Sequence, residues 1–281
     1  DGVLCLEFTG KSNSIGEGVG KALIEIIEIA EQENWKGLVI GNNAKQFSVG
    51  ANLMNIGMIA MQKQFDQLER FVDDFQQINM RIRTSKIPIV VATQGYVFGG
   101  GCEIAMHCDA GIYASESYIG LVEVGVGLLP GGGGTKEFAL RASDHFFEGD
   151  VQSPTLINYF KSIATAAVST SAYEAFDLNY LKKGRDEVCV NTQMNIGLAK
   201  EKVLKLSKNY TPPSARENIQ VLGRSGMGVL YSAINEFRMG EYMSDYDVEI
   251  ARKIAYVLCG GDLTSPQQVS EQYLLLSLIH I

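Results

Sequence analysis

Apolar and polar positions along this chain follow two periods. Val3 to Phe8 is β-branched and apolar with a charge at Glu7, which predicts a strand. After a loop from Gly10 to Gly18, Ala22, Leu23, Ile26, Ile27 and Ala30 recur at helical spacing while Glu25, Glu28 and Glu31 point away. Val19 to Glu33 is therefore an amphipathic helix. Gly37 to Gly41 is a short buried strand that leads through Asn42-Asn43 into a loop ending at Gly50-Ala51-Asn52. Phe65, Leu68, Phe71, Val72, Phe75, Ile78 and Ile82 mark one face of a long helix that ends before Pro88. Pro88 to Thr93 is again strand-like and turns on Gln94-Gly95. The chain then passes Gly99-Gly100-Gly101 and at once becomes helix-like, CEIAMHC. A strand at Ala110 to Ala114 and a helix start at Thr135 to Arg141 follow.

Beyond Ser143 the pattern is mostly helical: Thr155 to Thr170, Ala172 to Lys183 with a left-handed stop at Asn179, and Met194 to Ser207 after a short strand near Glu187 to Val190. Asn209 to Pro213 is the clearest linker, because consecutive prolines cannot continue a helix. Helices through Glu236 and from Ser244 to Cys259 complete the chain, the latter with Ser244 as N-cap and Gly260-Gly261 as stop. Strands and helices that alternate imply an α/β fold with crossover connections. The linker divides the chain into a core, residues 1–208, and a C-terminal helical region, residues 209–281.

Composition narrows the function. The chain has 281 residues and is 46% hydrophobic, enough for a sizeable core. A net charge of −8 argues against a nucleic-acid partner, since phosphate neutralisation needs a basic face. The five cysteines lack a CxxC pair, the usage of a reducing compartment. No membrane span and no signal peptide are visible, so the expected location is the cytoplasm. Cys102, His107 and Cys108 lie on an apolar helix without zinc-ligand spacing, so they are assigned to packing and no metal is expected.

The chemistry concentrates between Lys86 and Thr135. Glycines between a strand and a helix start admit a ligand to the backbone and aim free N–H groups at it. Glu103 sits in the first turn of that helix, and Glu123 follows in the glycine-rich run that ends at Pro130 to Gly134. Two carboxylates with pre-aimed donors suit acid–base work on an activated carbonyl compound. Each has a bland alternative: tight packing for the glycines, dipole compensation for Glu103, and an exposed loop acid for Glu123.

Together GGGCE, VEVGVGLLPG and the upstream run Gln46 to Leu53 resemble the signature of the enoyl-CoA hydratase/isomerase (crotonase) superfamily. The resemblance implies a spiral of ββα units followed by the C-terminal helical region. It assigns the oxyanion-hole N–H groups to Ala51 and Gly100, the base to Glu103 and delivery of the α-proton to Glu123. Gly50, Gly99 and Gly131 would line the substrate, and Lys45 would either contact a coenzyme A phosphate or stay solvated. The implied reaction is syn addition of water to a trans-2-enoyl-CoA in fatty-acid β-oxidation. It needs no cofactor beyond the coenzyme A of the substrate. The rivals are Δ3,Δ2-enoyl-CoA isomerisation and a non-catalytic acyl-CoA-binding domain.

The tail as far as Leu274 resembles bifunctional proteins in which a 3-hydroxyacyl-CoA dehydrogenase precedes the hydratase. Asp1 is accordingly expected to be a cut inside a longer polypeptide whose missing part would use NAD, and homo-oligomerisation is left open. Residues 275–281 depart from that subgroup and are expected to be non-native.

Overall fold

The computed structural model describes residues 2–280. The expectations placed on Asp1, and on Ile281 at the end of the supposed non-native run, fall outside the described residues. In chain order the elements begin with β1 (Val3–Glu7), α1 (Glu17–Gln32), β2 (Gly37–Gly41), α2 (Leu53–Met61) and α3 (Phe65–Arg83). They continue with β3 (Ile89–Thr93), β4 (Tyr96–Phe98), α4 (Gly100–His107), β5 (Ala110–Ala114) and β6 (Tyr118–Gly120). Next come α5 (Gly134–Ser143), α6 (Ser153–Ala164), α7 (Glu174–Asp177), β7 (Glu187–Cys189) and α8 (Asn195–Leu206). The last are β8 (Ile219–Val221), α9 (Gly223–Met239), α10 (Asp245–Leu258), β9 (Gln267–Val269) and α11 (Glu271–Ile279).

Two compact units emerge, each built from two stretches of chain: residues 1–120 with 168–214, and residues 121–167 with 215–281. The division expected at residue 208 groups 121–167 differently, with the first region.

The first unit holds a five-stranded sheet of order β1-β2-β3-β5-β7 in which every neighbouring pair is parallel. Every residue of β2, β3 and β5 is buried, as expected of strands covered on both faces. Val39, Val90, Ala110 and Ile112 form a core with Ala199 and Val203 of α8. A second, two-stranded parallel sheet pairs β4 with β6. A strand of the large sheet is thus twice followed by a strand of the small one, β3 by β4 and β5 by β6, and the first pair leads into α4. This is the ββα arrangement that the resemblance implied.

In the second unit α10 contributes Ile250, Ala251, Ile254, Ala255, Val257 and Leu258 to the interior. Ser244 caps it in a reciprocal box with Asp247, which satisfies donors at the helix start. The expected helical C-terminal region also contains an antiparallel ribbon, β8 with β9, too short to leave a period in the sequence. Lys136, Glu137 and Glu271 are buried together, with Lys136 Nζ at 2.8 Å from Glu137 and 2.9 Å from Glu271.

Several local expectations change. The helix expected to run from Thr155 to Thr170 stops at Ala164, where Thr165 Oγ1 donates back to the Lys161 carbonyl at 2.8 Å and Ala166 turns left-handed at φ 48°. The helix expected from Ala172 to Lys183 shrinks to α7, although Asn179 does take the left-handed conformation, φ 65°. Helix α2, LMNIGMIAM, is not among the expected elements; Asn55 is its one polar side chain and it buries no residue, so no polar face alternates with an apolar one to mark a period. The Asn52 side chain starts it by accepting from the Met54 N–H at 3.1 Å. Among the described residues no helix is long and apolar enough to cross a membrane.

Candidate active site

The glycine run after β4 starts α4 under steric constraint. Gly99 has φ 52°, a backbone state that L side chains rarely adopt. Its N–H donates to the Gly120 carbonyl at 2.9 Å, and its own carbonyl accepts from the Glu103 N–H at 2.9 Å, closing the first helical turn. Gly101 is needed for packing as well, since a Cβ there would lie 2.7 Å from Ser48 Cβ. The packing and ligand-access readings of the glycines are therefore compatible.

The loop ending in Gly50-Ala51 lies directly against this helix start. Ser48 N–H donates to the Tyr96 carbonyl, and Phe98 N–H donates to the Ser48 carbonyl, both at 3.0 Å. Gly50 has φ 90°, and a Cβ on it would lie 2.8 Å from the Phe98 carbonyl oxygen and 3.1 Å from the Gly100 nitrogen. Ile15 straddles Ala51: its N–H donates to Gly50 at 2.8 Å, and its carbonyl accepts from Asn52 at 3.0 Å. That pattern skips the Ala51 N–H. Among the described residues neither the Ala51 N–H nor the Gly100 N–H has an acceptor. Two unused donors thus stand on abutting backbone segments, one of them at the positive end of a helix.

Glu103 follows on the same helix and is only 2% exposed. His107, one turn on, donates its Nδ1–H to the Glu103 carbonyl at 2.7 Å, a packing role consistent with its assignment. Burial pushes the Cys108 thiol well above its ordinary value, which makes it inert at neutral pH. No group of three or more metal-ligating side chains occurs among the described residues. Ala51 also lines a cavity of about 1160 Å³ between α1, α2 and α3, whose apolar wall includes Ile15, Ile59, Phe71 and Phe75. Lys45 is exposed, and its carbonyl passes close over Gly95.

The second unit carries the remaining two candidates. Glu123 is half-buried and opens a tight turn through Val126, with its carbonyl accepting from the Leu128 N–H at 3.0 Å. Gly127 ends that turn left-handed, and its carbonyl accepts from Tyr246 Oη at 3.2 Å. Gly131 is half-buried and lies just before Gly133, which is left-handed at φ 117° and starts α5. The Pro130 carbonyl accepts from Thr135 Oγ1 at 3.0 Å and ties the run to the helix.

Sequence reasoning gave no role to the buried polar residues Asn13, Asn42, Ser48 and Gln94, which lie in or beside the first loop. Their only signal was a pair of asparagines after one strand and a glutamine after the next, and that pattern also fits an exposed turn.

Comparison with known proteins identifies the family and the fold. A sequence profile described as Enoyl-CoA hydratase/isomerase matches residues 2–146, more than half of the chain. A Bacillus subtilis (strain 168) protein named "Probable 3-hydroxyacyl-CoA dehydrogenase" is 38% identical over 275 residues, covering 98% of this chain but 34% of that protein. A Shewanella frigidimarina (strain NCIMB 400) protein named "Fatty acid oxidation complex subunit alpha" is 33% identical over 139 residues, 48% of this chain and 19% of its own length. The chain thus spans about a third of the first relative and less of the second. Among solved structures, an enoyl-CoA hydratase from Polaromonas sp. JS666 superposes with a TM-score of 0.61 at 17% identity, covering 91% of this chain and 87% of the other. One from Bacillus anthracis gives 0.59 at 21% identity, covering 92% and 86%. Those likenesses establish the fold, and with the profile match over GGGCE and its flanking loops they place this chain in the enoyl-CoA hydratase/isomerase family.

Proposed function

We propose that the chain is an enoyl-CoA hydratase that adds water across the double bond of a trans-2-enoyl-CoA to give the 3-hydroxyacyl-CoA. The observation that carries this reading is the pair of unused N–H donors of Ala51 and Gly100 on abutting backbones, next to buried Glu103. Water attacks Cβ while Glu103 takes its proton. The π electrons move toward the thioester, and negative charge builds on its oxygen. Donors already in place for that charge need no reorganisation, and losing one typically costs ~2.7–4 kcal/mol. The enolate collapses by taking a proton at Cα, which is the role proposed for Glu123 from its place in VEVGVGLLPG. Gly50 and Gly99 bring the backbone close to the substrate, Gly131 shapes the glycine wall after Glu123, and Lys45 offers a mobile cation to a coenzyme A phosphate. The acyl chain would run into the cavity that Ala51 borders.

The relatives' names and lengths favour a hydratase that works within a longer multifunctional β-oxidation protein, with an NAD-dependent dehydrogenase consuming the product. Tethering would raise the concentration of product that the dehydrogenase sees.

The test uses Glu103→Gln and Glu123→Gln separately. Each amide keeps the shape and removes the proton transfer, so crotonyl-CoA hydration should fall by ~10²–10⁴-fold while acyl-CoA binding persists. Wild-type turnover in either variant removes that residue from the mechanism. Isomerisation of a 3-enoyl-CoA without hydration of crotonyl-CoA would replace the reading with the isomerase one.

A further inference from the structure

Between the end of β2 and the start of α2 the chain carries Gly50 and Ala51 through a stretch without strand or helix; backbone bonds to Ile15, Tyr96 and Phe98 hold residues 48–52, and side chains add the hold on residues 42–47 that lead into them. Two of them form the hub. Gln94 Nε2 lies 2.8 Å from the Asn42 carbonyl, 3.0 Å from Asn42 Oδ1 and 2.8 Å from the Ala44 carbonyl, all acceptors of its two hydrogens. Asn42 in turn donates Nδ2 to the Phe47 carbonyl at 3.1 Å and accepts from the Ala44 N–H at 3.0 Å. The Phe47 N–H returns to the Gln94 carbonyl at 2.8 Å. Residues 42–47 are thereby closed against the end of β3. Both hub residues are buried, Asn42 at 4% and Gln94 at 7% exposure, so their amides are not solvated alternatives to a free loop.

The anchor's place matters as much as its strength. Gln94 follows the last residue of β3 and leads through β4 to Gly99 and Gly100. The residue that grips the first loop is therefore on the segment that delivers the second donor. A loop needing only stability could be pinned to any buried group; this one is pinned to Gln94, at the start of the segment that runs through β4 to Gly100.

We infer that Gln94, acting through Asn42, is a positioning residue that sets the spacing between the Ala51 and Gly100 N–H groups. The inference rests on the hydratase reading. An oxyanion hole works when its donors reach one oxygen at ~2.7–3.1 Å, and a misplacement of about 1 Å can cost ~10²-fold.

The experiment compares wild type with Gln94→Met, which keeps length and apolar bulk but has no donors, and with Asn42→Ala, which removes the Oδ1 acceptor and the Nδ2 donor to Phe47 while the backbone carbonyls of residues 42 and 44 stay available to Gln94. Turnover on crotonyl-CoA is measured with the melting temperature. An aryl-enoyl-CoA is bound as well, since its absorbance moves to longer wavelength when its thioester oxygen accepts hydrogen bonds. In Gln94→Met kcat should fall by ~10–10²-fold, KM should stay within about threefold, and the red shift should shrink. Asn42→Ala should act in the same direction, and the double variant should lose less than the product of the two single losses, because the two side chains share the bond at Asn42 Oδ1. If Gln94→Met does not fold, Asn42→Ala decides.

A folded variant with wild-type kcat, or with reduced kcat but an unchanged red shift, overturns the inference. A wild-type chain that fails to hydrate crotonyl-CoA overturns the hydratase reading instead, and the red-shift comparison then still decides the positioning role. Absence of any red shift in the wild type overturns both.

Discussion

Adding one methyl group at Gly50 tests whether the two donor-bearing backbones must abut. In Gly50→Ala the new Cβ meets the Phe98 carbonyl oxygen at 2.8 Å and the Gly100 nitrogen at 3.1 Å. The first distance is roughly 0.6 Å short of the 3.4 Å at which ordinary contact begins, so the loop must retreat. The backbone also holds φ 90°, which a non-glycine residue adopts at ~1–3 kcal/mol. Overpacking of this kind adds a further ~1–3 kcal/mol. The sum, about 2–6 kcal/mol, corresponds to a melting temperature lower by very roughly 5–20 °C, taking ~2–4 °C per kcal/mol for a chain approaching this size. Any retreat separates Ala51 from Gly100, and half an ångström or so of separation should lower kcat by ~10-fold or more. Hydration is followed by loss of the conjugated enoyl-thioester absorbance, product binding by calorimetry, and stability by circular dichroism. The control is Gly197→Ala in α8, where nothing lies within 4 Å of the added Cβ. That change should leave kcat alone and raise stability by ~0.5–1 kcal/mol, the usual gain of alanine over glycine inside a helix. A folded Gly50→Ala enzyme with wild-type kcat would show that the abutment of the two loops is irrelevant to turnover.

Two further outcomes are expected. If the cavity beside Ala51 receives the acyl chain, each added methylene should lower KM by about fourfold, from ~0.8 kcal/mol per buried CH₂, until the chain outgrows it. Ile59→Trp should raise KM for a twelve-carbon substrate and spare crotonyl-CoA, whereas a KM that is flat from four to twelve carbons removes the cavity from binding. In the second unit, Lys136→Met leaves Glu137 and Glu271 buried without their shared cation and should destabilise the fold by ~3–5 kcal/mol in urea unfolding. A loss below about 1 kcal/mol would show that the shared cation is not what keeps the two carboxylates in place.

What the sequence by itself determined were the features written in neighbouring residues. The 3.6-residue stripe of α1 and α3, the apolar runs of β2, β3 and β5, the Ser244 cap and the left-handed Asn179 all depend on a few consecutive positions, and all appear in the fold. The candidate site was legible for the same reason: GGGCE and VEVGVGLLPG are contiguous, and a glycine run before a helix has a local steric meaning. Tertiary structure decided the rest. The strands β4 and β6 are three residues each, with no room for a period, and exist because they pair with each other. Helix α2 has Asn55 as its one polar side chain, so no hydrophobic stripe stands out against a polar face. Gln94 and Asn42, which read as turn residues along the chain, are separated by 52 positions and meet only once β2 and β3 lie side by side. The charges of Lys136 and Glu271 are 135 positions apart, and nothing near either one says that they are buried together. Periodicity and caps are short-range and survive in a one-dimensional string; the partners of a buried polar group are set by which segments the sheet and helices bring within hydrogen-bond reach.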